Sequence, residues 1–398
     1  MHVPRHRTPV SHRVRRQKGQ AILFTVLLIG TVTTLSVYSF VRPRNPVLDD
    51  GVQTGHALAQ AREALMSYAA RNATTRPGTL PCPDRTADGV TDTCTTVQSR
   101  IGFLPWKTLG IADLRDGSGA PLLYAVSNAF RVTTGVLNSD TSGDYSVTGL
   151  ESAAGVIAIV FAPGPVVGTQ RRDTTTALCS TTSTTIARNR CPANYLEGGN
   201  ENGDTAFASA LPTAAYNDRL LLITRDNLFP AVMARVVRDA RRMLTDYFNA
   251  KGYYPNPAPF SNQTCDASTF QGVIPAYINP AAPATPTCPG KSDWVGTFYP
   301  WFFANNWDQR IFYAVAPACT AAATQATCLS TGGLTVAGVS TNTRALLIGT
   351  GRAYSGQARP CLSASDCLED TENTNGDGMF QKPSPSSTNN DLLLIVAP

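Results

Sequence analysis

The stretch NENGDTAF at residues 200–207 returns as NTNGDGMF at residues 373–380. Both read N-x-N-G-D-x-x-F, and each is followed by an apolar run, NDRLLLI at Asn217–Ile223 and NDLLLIV at Asn390–Val396. The two copies align without a gap from the motif to the end of that run. A pattern kept over such a length indicates an internal repeat rather than a chance match.

The repeat extends beyond this motif and covers most of the chain. Apolar residues at helical spacing predict helices at His56–Asn72 and Val232–Gly252, and A-R-x-x-L-x-x-Y occurs in both. Pro-Trp segments follow as GFLPWKTLG and GTFYPWFF, and apolar runs as GVIAIVFAPG and RALLIGTGR. So many shared segments in one order indicate a tandem duplication.

Each copy predicts a helix followed by short strands, such as LLYAV, VIAIVF and RLLLIT in the first copy. A helix packed on an antiparallel sheet is an α+β arrangement. The sequence therefore predicts an α+β fold with two tandem units that have disulfide-braced loops. The first unit is predicted at 56–225 and the second at 226–398.

The N-terminal region has a different composition. Residues 1–44 carry eight basic residues and no acidic one, so the rest of the chain is slightly acidic although the whole has a net charge of +5. The pattern predicts a basic cytoplasmic leader at 1–19, a transmembrane helix at 20–41 and a linker at 42–55. It places the chain in the inner membrane as a single-pass protein with a periplasmic or surface ectodomain. With no basic stripe outside the leader, nucleic acid is excluded as a partner.

The segment RRQKGQAILF resembles the leader of type IV pilin-like and pseudopilin-like proteins. In that family a prepilin peptidase cuts after glycine, which corresponds here to Gly19, with Gln20 as the new N terminus. Phe24 stands where family members usually carry glutamate. The segments LPCPD, LPWKTLG and YLEGGN are also similar to those of membrane-anchored prepilin-like proteins. The resemblance implies pilin-like heads, other pilin-like or secretion-system subunits as partners, and no catalytic residues.

The chain has ten cysteines, none in a C-x-x-C pair. Their even number and close sequential spacing predict local disulfides and an oxidising compartment. The predicted pairs are Cys82 with Cys94, Cys179 with Cys191, Cys265 with Cys288, Cys319 with Cys328, and Cys361 with Cys367.

The N-G-D segments are candidate calcium loops, because Asn and Asp offer the oxygen ligands that Ca²⁺ prefers. The predicted ligands are Asn200, Asn202, Asp204, Asn373, Asn375 and Asp377. The alternative is purely structural: Asn-Gly-Asp is a favoured tight turn, with Phe207 and Phe380 as core anchors. A second acidic loop, Asp84–Asp92, is likewise either a cation site or a solvated turn.

Two further features bear on function. The aromatic segment around Trp301, with Trp294 and Trp307, is either an exposed contact patch or core, and the repeated Pro-Trp favours core. No histidine follows His56, which excludes a His-based catalytic unit in the repeats. The sequence thus predicts a non-enzymatic prepilin-like component of a type IV pilus or type II secretion-type assembly. The alternative is a membrane-anchored binding module, a calcium-dependent adhesin or glycan binder.

Overall fold

The computed structural model describes residues 27–31, 46–71, 76–131, 135–179, 184–278, 293–320, 328 and 333–397. The chain divides into two units, Met1–Asp49 and Asp50–Pro398. In the first unit the described residues are a helical turn at 27–31 and the start of helix α1. The second unit holds both copies of the repeat.

Two long helices lie at the starts of the two copies. Helix α1 spans Pro46–Arg71 and helix α3 spans Arg225–Lys251. Helix α1 begins inside the stretch predicted as a linker, because proline is tolerated in the first turn of a helix, where its missing N–H leaves no bond unmade. Helix α3 ends at Gly252, whose φ of 80° is the left-handed conformation that favours glycine. The described residues of the second unit also form three short helices: α2 (Trp106–Leu109), α4 (Pro300–Ala304) and α5 (Ala364–Cys367).

Each copy contains a four-stranded antiparallel sheet, and the strand order is equivalent in both. The first sheet has the order β1-β2-β5-β9 and the second the order β10-β11-β14-β16. The first comprises β1 (Ile101–Phe103), β2 (Leu123–Val126), β5 (Ala158–Ala162) and β9 (Arg219–Ile223). The second comprises β10 (Gln271–Val273), β11 (Ile311–Val315), β14 (Ala345–Gly349) and β16 (Leu392–Ala397).

Smaller sheets carry the quoted motifs. The order β4-β3-β8 in the first copy corresponds to β13-β12-β15 in the second, and each includes one parallel pair, β3 with β8 or β12 with β15. Their strands are β3 (Tyr145–Gly149), β4 (Ala153–Val156), β8 (Ala206–Ser209), β12 (Leu334–Val336), β13 (Ser340–Thr343) and β15 (Met379–Phe380). A separate hairpin joins β6 (Thr176–Leu178) to β7 (Thr185–Ala187).

The predicted fold class is wrong in two respects. The chain is a mixed α/β structure with several sheets, and the parallel pairs depart from the antiparallel units that were predicted. Short strands of two to five residues carry too little pattern to reveal their direction. Within the described residues, no helix is long and apolar enough to cross a membrane.

That finding contradicts the predicted transmembrane helix and the single-pass inner-membrane placement. The apolar run from Gln20 to Val41 lies outside the described residues except for 27–31. The two long helices are one-sided: α1 buries Leu58, Ala61 and Leu65 but exposes charged residues such as Glu63.

One apolar core is shared by both copies. A single cluster of buried side chains includes residues of α1, α3 and both four-stranded sheets. Phe229 of α3 is central to it, with its ring 6.1 Å from Phe130 of the first copy and 6.3 Å from Trp307 of the second. At Gly349 in β14 a Cβ atom would lie 2.6 Å from Met233 and Val237, so α3 packs tightly on the second sheet. A second cluster covers the other face of the first sheet, which is why β5 is buried throughout.

A polar segment of the first copy also docks on the second. The Asp140 carboxylate lies 2.6 Å from Arg310 Nε and 3.6 Å from Arg359 Nε, and it accepts a hydrogen bond from the Ala353 N–H at 2.9 Å. Nearby, the Leu137 N–H donates to the side chain of Asn305. Both arginine side chains are less than a tenth exposed, so Asp140 supplies the negative charge that their burial requires.

The Asp140→Ala variant should lose about 3–5 kcal/mol of unfolding free energy, because two buried guanidinium groups lose their carboxylate. Urea unfolding at neutral pH measures this loss. The matched control is Asp113→Ala, which removes an exposed pair with Arg115 and should cost under about 1 kcal/mol. Equal losses of unfolding free energy in the two variants would contradict a stabilising role for the buried Asp140–arginine contacts.

Candidate functional site

The first asparagine of each N-G-D motif is a buried structural residue. Asn200 is fully buried, accepts a hydrogen bond from the Ala208 N–H at 2.8 Å and donates one to the Ala208 carbonyl at 3.1 Å. Asn373 does the same with Gln381, at 2.7 and 3.0 Å. Each side-chain amide thus satisfies the main chain at the end of strand β8 or β15.

The remaining motif residues form a tight turn. Asn202 Oδ1 accepts the Asp204 N–H, and its amide donates to the Asp204 carboxylate at 2.8 Å. The contacts between Asn375 and Asp377 are the same, at 3.0 and 3.1 Å. The intervening Gly203 has a φ of 74°, which explains why glycine stands there.

These contacts favour the turn over the calcium loop. The structure brings Asn202 close to Asp204 and Asn375 close to Asp377, whereas the amides of Asn200 and Asn373 bind neighbouring backbone. No group of three or more His, Cys, Asp or Glu residues that could hold a metal occurs in the part of the chain that is described. Calcium binding at the six predicted ligands stays an untested prediction.

The second acidic loop is also held by its own carboxylates. Asp84 is 1% exposed and accepts hydrogen bonds from the N–H groups of Thr86 and Gly89. Asp92 accepts from the Arg85 N–H at 2.6 Å. The loop is therefore an ordered turn rather than a solvated one, and its carboxylate oxygens serve the backbone.

Three of the predicted disulfides are present as pairs: Cys82–Cys94, Cys319–Cys328 and Cys361–Cys367. Cys265 is also disulfide-bonded, and its predicted partner, Cys288, lies outside the described residues. Cys179 and Cys191 are both buried and stand side by side as hydrogen-bonded thiols. Burial, followed by the contact with Cys179, raises the pKa of Cys191 to about 12.

The aromatic segment of the second copy is core. Trp307 and Phe302 are fully buried, Trp301 is 8% exposed, and the Arg235 guanidinium lies over the Trp301 ring at 5.7 Å. Trp294 is partly exposed, with its Nε1 donating to the Pro275 carbonyl, and Phe298 of the same segment is exposed.

The equivalent tryptophan of the first copy lies in a different environment. Trp106 is partly exposed and lines a cleft of about 330 Å³. Tyr195 forms another part of the wall, with the Arg172 guanidinium 4.5 Å from its ring centroid. The other lining residues are Asp84, Ala87, Phe103, Leu104, Asp113, Leu114, Arg115, Pro121, Leu122 and Asn189. The cleft therefore combines aromatic faces with charged and amide groups, which is typical of small-ligand sites.

Arg172 is one of two arginines that line this cleft, with Arg115. Its guanidinium donates to the carbonyls of Asn194 and Gly164 and to the side chain of Gln170, all neutral acceptors. No carboxylate of the described residues lies within salt-bridge distance of it, and burial lowers its pKa.

A pair of carboxyl groups, a buried aspartate and a half-buried glutamate, lies beside the first N-G-D turn, and sequence reasoning did not identify it. Asp218 is 3% exposed, and its Oδ2 accepts the Glu197 N–H at 3.0 Å and the Asn200 amide at 2.9 Å. Glu197 accepts from the side chain of Gln170 at 2.5 Å and from the Asn217 N–H at 3.0 Å.

The second copy reproduces this pair almost atom for atom. Asp391 is 3% exposed and accepts the Glu369 N–H at 3.0 Å. Glu369 in turn accepts from the side chain of Gln357 and from the Asn390 N–H, both at 3.0 Å. The signal was visible in the aligned copies, since Asn-Asp precedes both terminal apolar runs and Gln-x-Arg occurs in both at Gln170 and Gln357.

Burial raises the pKa of both aspartates, and the negative charge of the paired glutamate adds to the effect. The pKa of Asp218 rises to about 8 beside Glu197, and that of Asp391 rises to about 8 beside Glu369. Like charges so close together favour the state in which one of the two carboxyls is protonated.

Comparison with known proteins gives no further identification: no protein-family model, curated protein or solved structure matches the chain. The resemblance to pilin-like proteins therefore remains a prediction from the motifs.

The Asn200→Ala variant should lose about 1–3 kcal/mol of unfolding free energy, because it removes a fully buried amide that hydrogen-bonds to the Ala208 backbone. Asn373→Ala should behave alike, whereas Asn202→Ala, at an exposed position, should cost only about 0.5 kcal/mol. Denaturant unfolding measures all three variants. Repeating the melts with calcium and with chelator also tests the ion: a calcium loop requires that chelator destabilise the wild type and that Asn202→Ala remove this response.

Proposed function

We propose that the chain is a non-enzymatic, prepilin- or pseudopilin-like subunit of a type IV pilus or type II secretion-type assembly. The observation that carries the proposal is the pairing of a prepilin-type junction at Gly19–Gln20 with a rigid, disulfide-braced double repeat. No histidine follows His56, so the strands and loops of the two copies have none to serve nucleophilic catalysis. The buried asparagines Asn200 and Asn373 hold turns and strands, as expected for a subunit that presents a fixed surface.

The proposed role of the two regions differs. The leader RRQKG would direct processing, and the apolar segment after it would bury itself among neighbouring subunits. The double repeat would then be the exposed head. Because α1, α3 and both sheets share one core, the head would present both copies in one fixed orientation to its partners.

Processing predicts that the mature chain starts at Gln20. N-terminal sequencing by mass spectrometry, in a host with a prepilin peptidase and in the same host without it, measures the start. The Gly19→Val variant should keep its leader in both hosts. A leader that stays intact in the presence of the peptidase would remove the main support for the filament pathway.

A second candidate function is favoured by the cleft at Trp106. Aromatic rings that stand beside carboxylates, amides and arginines suit a sugar, whose ring stacks while its hydroxyls form hydrogen bonds. In this role the protein would be a glycan-binding module. The second copy lacks the exposed ring, since Trp301 is buried, so binding would reside in the first copy.

A glycan array, followed by titration of any hit, tests this role. The Trp106→Ala variant should weaken binding about tenfold or more, which corresponds to about 1.4 kcal/mol. Trp294→Ala, at the partly exposed tryptophan of the second copy, is the matched control and should leave the affinity unchanged. An array without a hit, or equal losses in both variants, would argue against the cleft as a sugar site.

A further inference from the structure

The two carboxyl pairs, Glu197–Asp218 and Glu369–Asp391, share one pattern of hydrogen bonds. In each pair every carboxylate oxygen except one receives an N–H donor from the backbone or from an amide side chain. The exceptions are Oδ1 of Asp218 and Oδ1 of Asp391, which are buried and receive no donor from the described residues. A buried acceptor that receives no hydrogen bond lowers the stability of the fold. The recurrence of this unpaired oxygen in both copies indicates that a proton occupies the site.

The missing donor is supplied if the aspartate itself is protonated. The side chains of Asp218 and Glu197 lie within hydrogen-bond reach of each other, and those of Asp391 and Glu369 do so as well. Two ionised carboxylates cannot hydrogen-bond, whereas a carboxylic acid donates strongly to a carboxylate. One shared proton therefore satisfies the last oxygen and removes one of two like charges.

The surrounding charges do not replace this proton. Arg172 faces the first pair, and Tyr216 lies beside Asp218. Arg359 faces the second pair, where Arg352 and Tyr354 also interact with Glu369, but Arg352 forms its ion pair with Asp226. Arg172 donates to neutral acceptors, and Arg359 lies against Asp140. Each pair also has only two carboxylates, and N–H donors occupy their oxygens, so a metal ion would find few lone pairs to bind.

We propose that each copy binds one proton between its two carboxyl groups, and that this proton fastens the copy's last strand to the loop before its N-G-D turn. Asp218 precedes β9 and Asp391 precedes β16, whereas Glu197 and Glu369 lie just before the motifs. The shared proton thus connects the last strand of each copy to the residues just before its N-G-D motif. We call the two protonated pairs, Glu197–Asp218 and Glu369–Asp391, carboxyl clasps. Their contribution to stability at acid pH does not depend on whether the chain assembles into filaments or binds sugars.

The direction of the pH effect follows from linkage. An aspartate with a folded pKa of about 8 and an unfolded pKa of about 3.9 binds more protons when folded. Its contribution to stability is complete below about pH 4 and falls as pH rises to about 8. Above that value both carboxyls are ionised, and the pair repels itself within the fold.

Thermal unfolding at pH 5 and pH 9 tests the clasps. The wild type should lose roughly 5 °C or more in Tm between these values. Asp218→Asn with Asp391→Asn copies the protonated acid, because an amide still accepts through oxygen and donates to the glutamate. This double variant should melt close to the wild type at pH 5 and above it at pH 9.

Two controls make the result specific. Glu151→Gln removes an exposed negative charge from the loop between β3 and β4 and should leave the pH dependence unchanged. Each single Asp→Asn variant should remove part of the effect. If the double variant keeps the full loss of Tm from pH 5 to pH 9, the clasps do not hold the proton.

A second measurement covers the case in which the variants fail to fold. In the wild type labelled with ¹³C at aspartate carboxyls, NMR titration should give midpoints for Asp218 and Asp391 above about 6, whereas ordinary aspartates titrate near 4. Midpoints in the ordinary range for both residues would overturn the proposal.

Discussion

The burial of one continuous apolar core by helix α3 is the constraint on which the rest of the fold depends. The helix buries a face that includes Phe229, Val236 and Tyr247, and Phe229 contacts aromatic rings of both copies. Burial of a large aromatic side chain is among the strongest single contributions to a core. Because the same helix serves both halves, neither sheet has a complete hydrophobic interior of its own.

Polar contacts determine the relative orientation of the two copies and hold the short strands, which the apolar core alone does not do. Asp140 of the first copy neutralises two buried arginines of the second, which sets the orientation of the halves with a precision that apolar contacts alone do not provide. Within each half, the amide of Asn200 or Asn373 and the adjacent carboxyl pair hold short strands that have few hydrogen bonds of their own. Among the described residues, three disulfides, Cys82–Cys94, Cys319–Cys328 and Cys361–Cys367, close short loops and further restrict the unfolded chain.

Much of this organisation could be predicted from the sequence. The duplication, the apolar face of α3 and the strands at LLYAV, VIAIVF and RLLLIT follow from periodicity and internal alignment. The parallel pairing of β3 with β8 could not be predicted, because it joins segments far apart in the chain through strands of four or five residues. The transmembrane prediction was wrong for another reason. It rested only on the length and composition of one apolar run, and no helix of the described residues is long and apolar enough to cross a membrane.

The candidate site shows the same division. The N-G-D turns were found because glycine and asparagine have strong local preferences. The partners of the buried asparagines could not be predicted. An aspartate such as Asp218 is expected at the surface, and only the tertiary fold shows that it is buried. Trp106 and Trp301 share a motif, yet only the latter is covered by an arginine from α3. Burial at equivalent positions is thus decided by tertiary neighbours that differ between the copies.

The junction between the halves has one more consequence. Strand β9 ends at Ile223, and α3 begins at Arg225. Thr224 between them is the N-cap residue, and its N–H donates to the side chain of Asn227 at 3.1 Å. No spacer separates the copies, so a pull on one half is transmitted to the other without slack. The two copies, which also share one apolar core, are thus mechanically coupled at this junction.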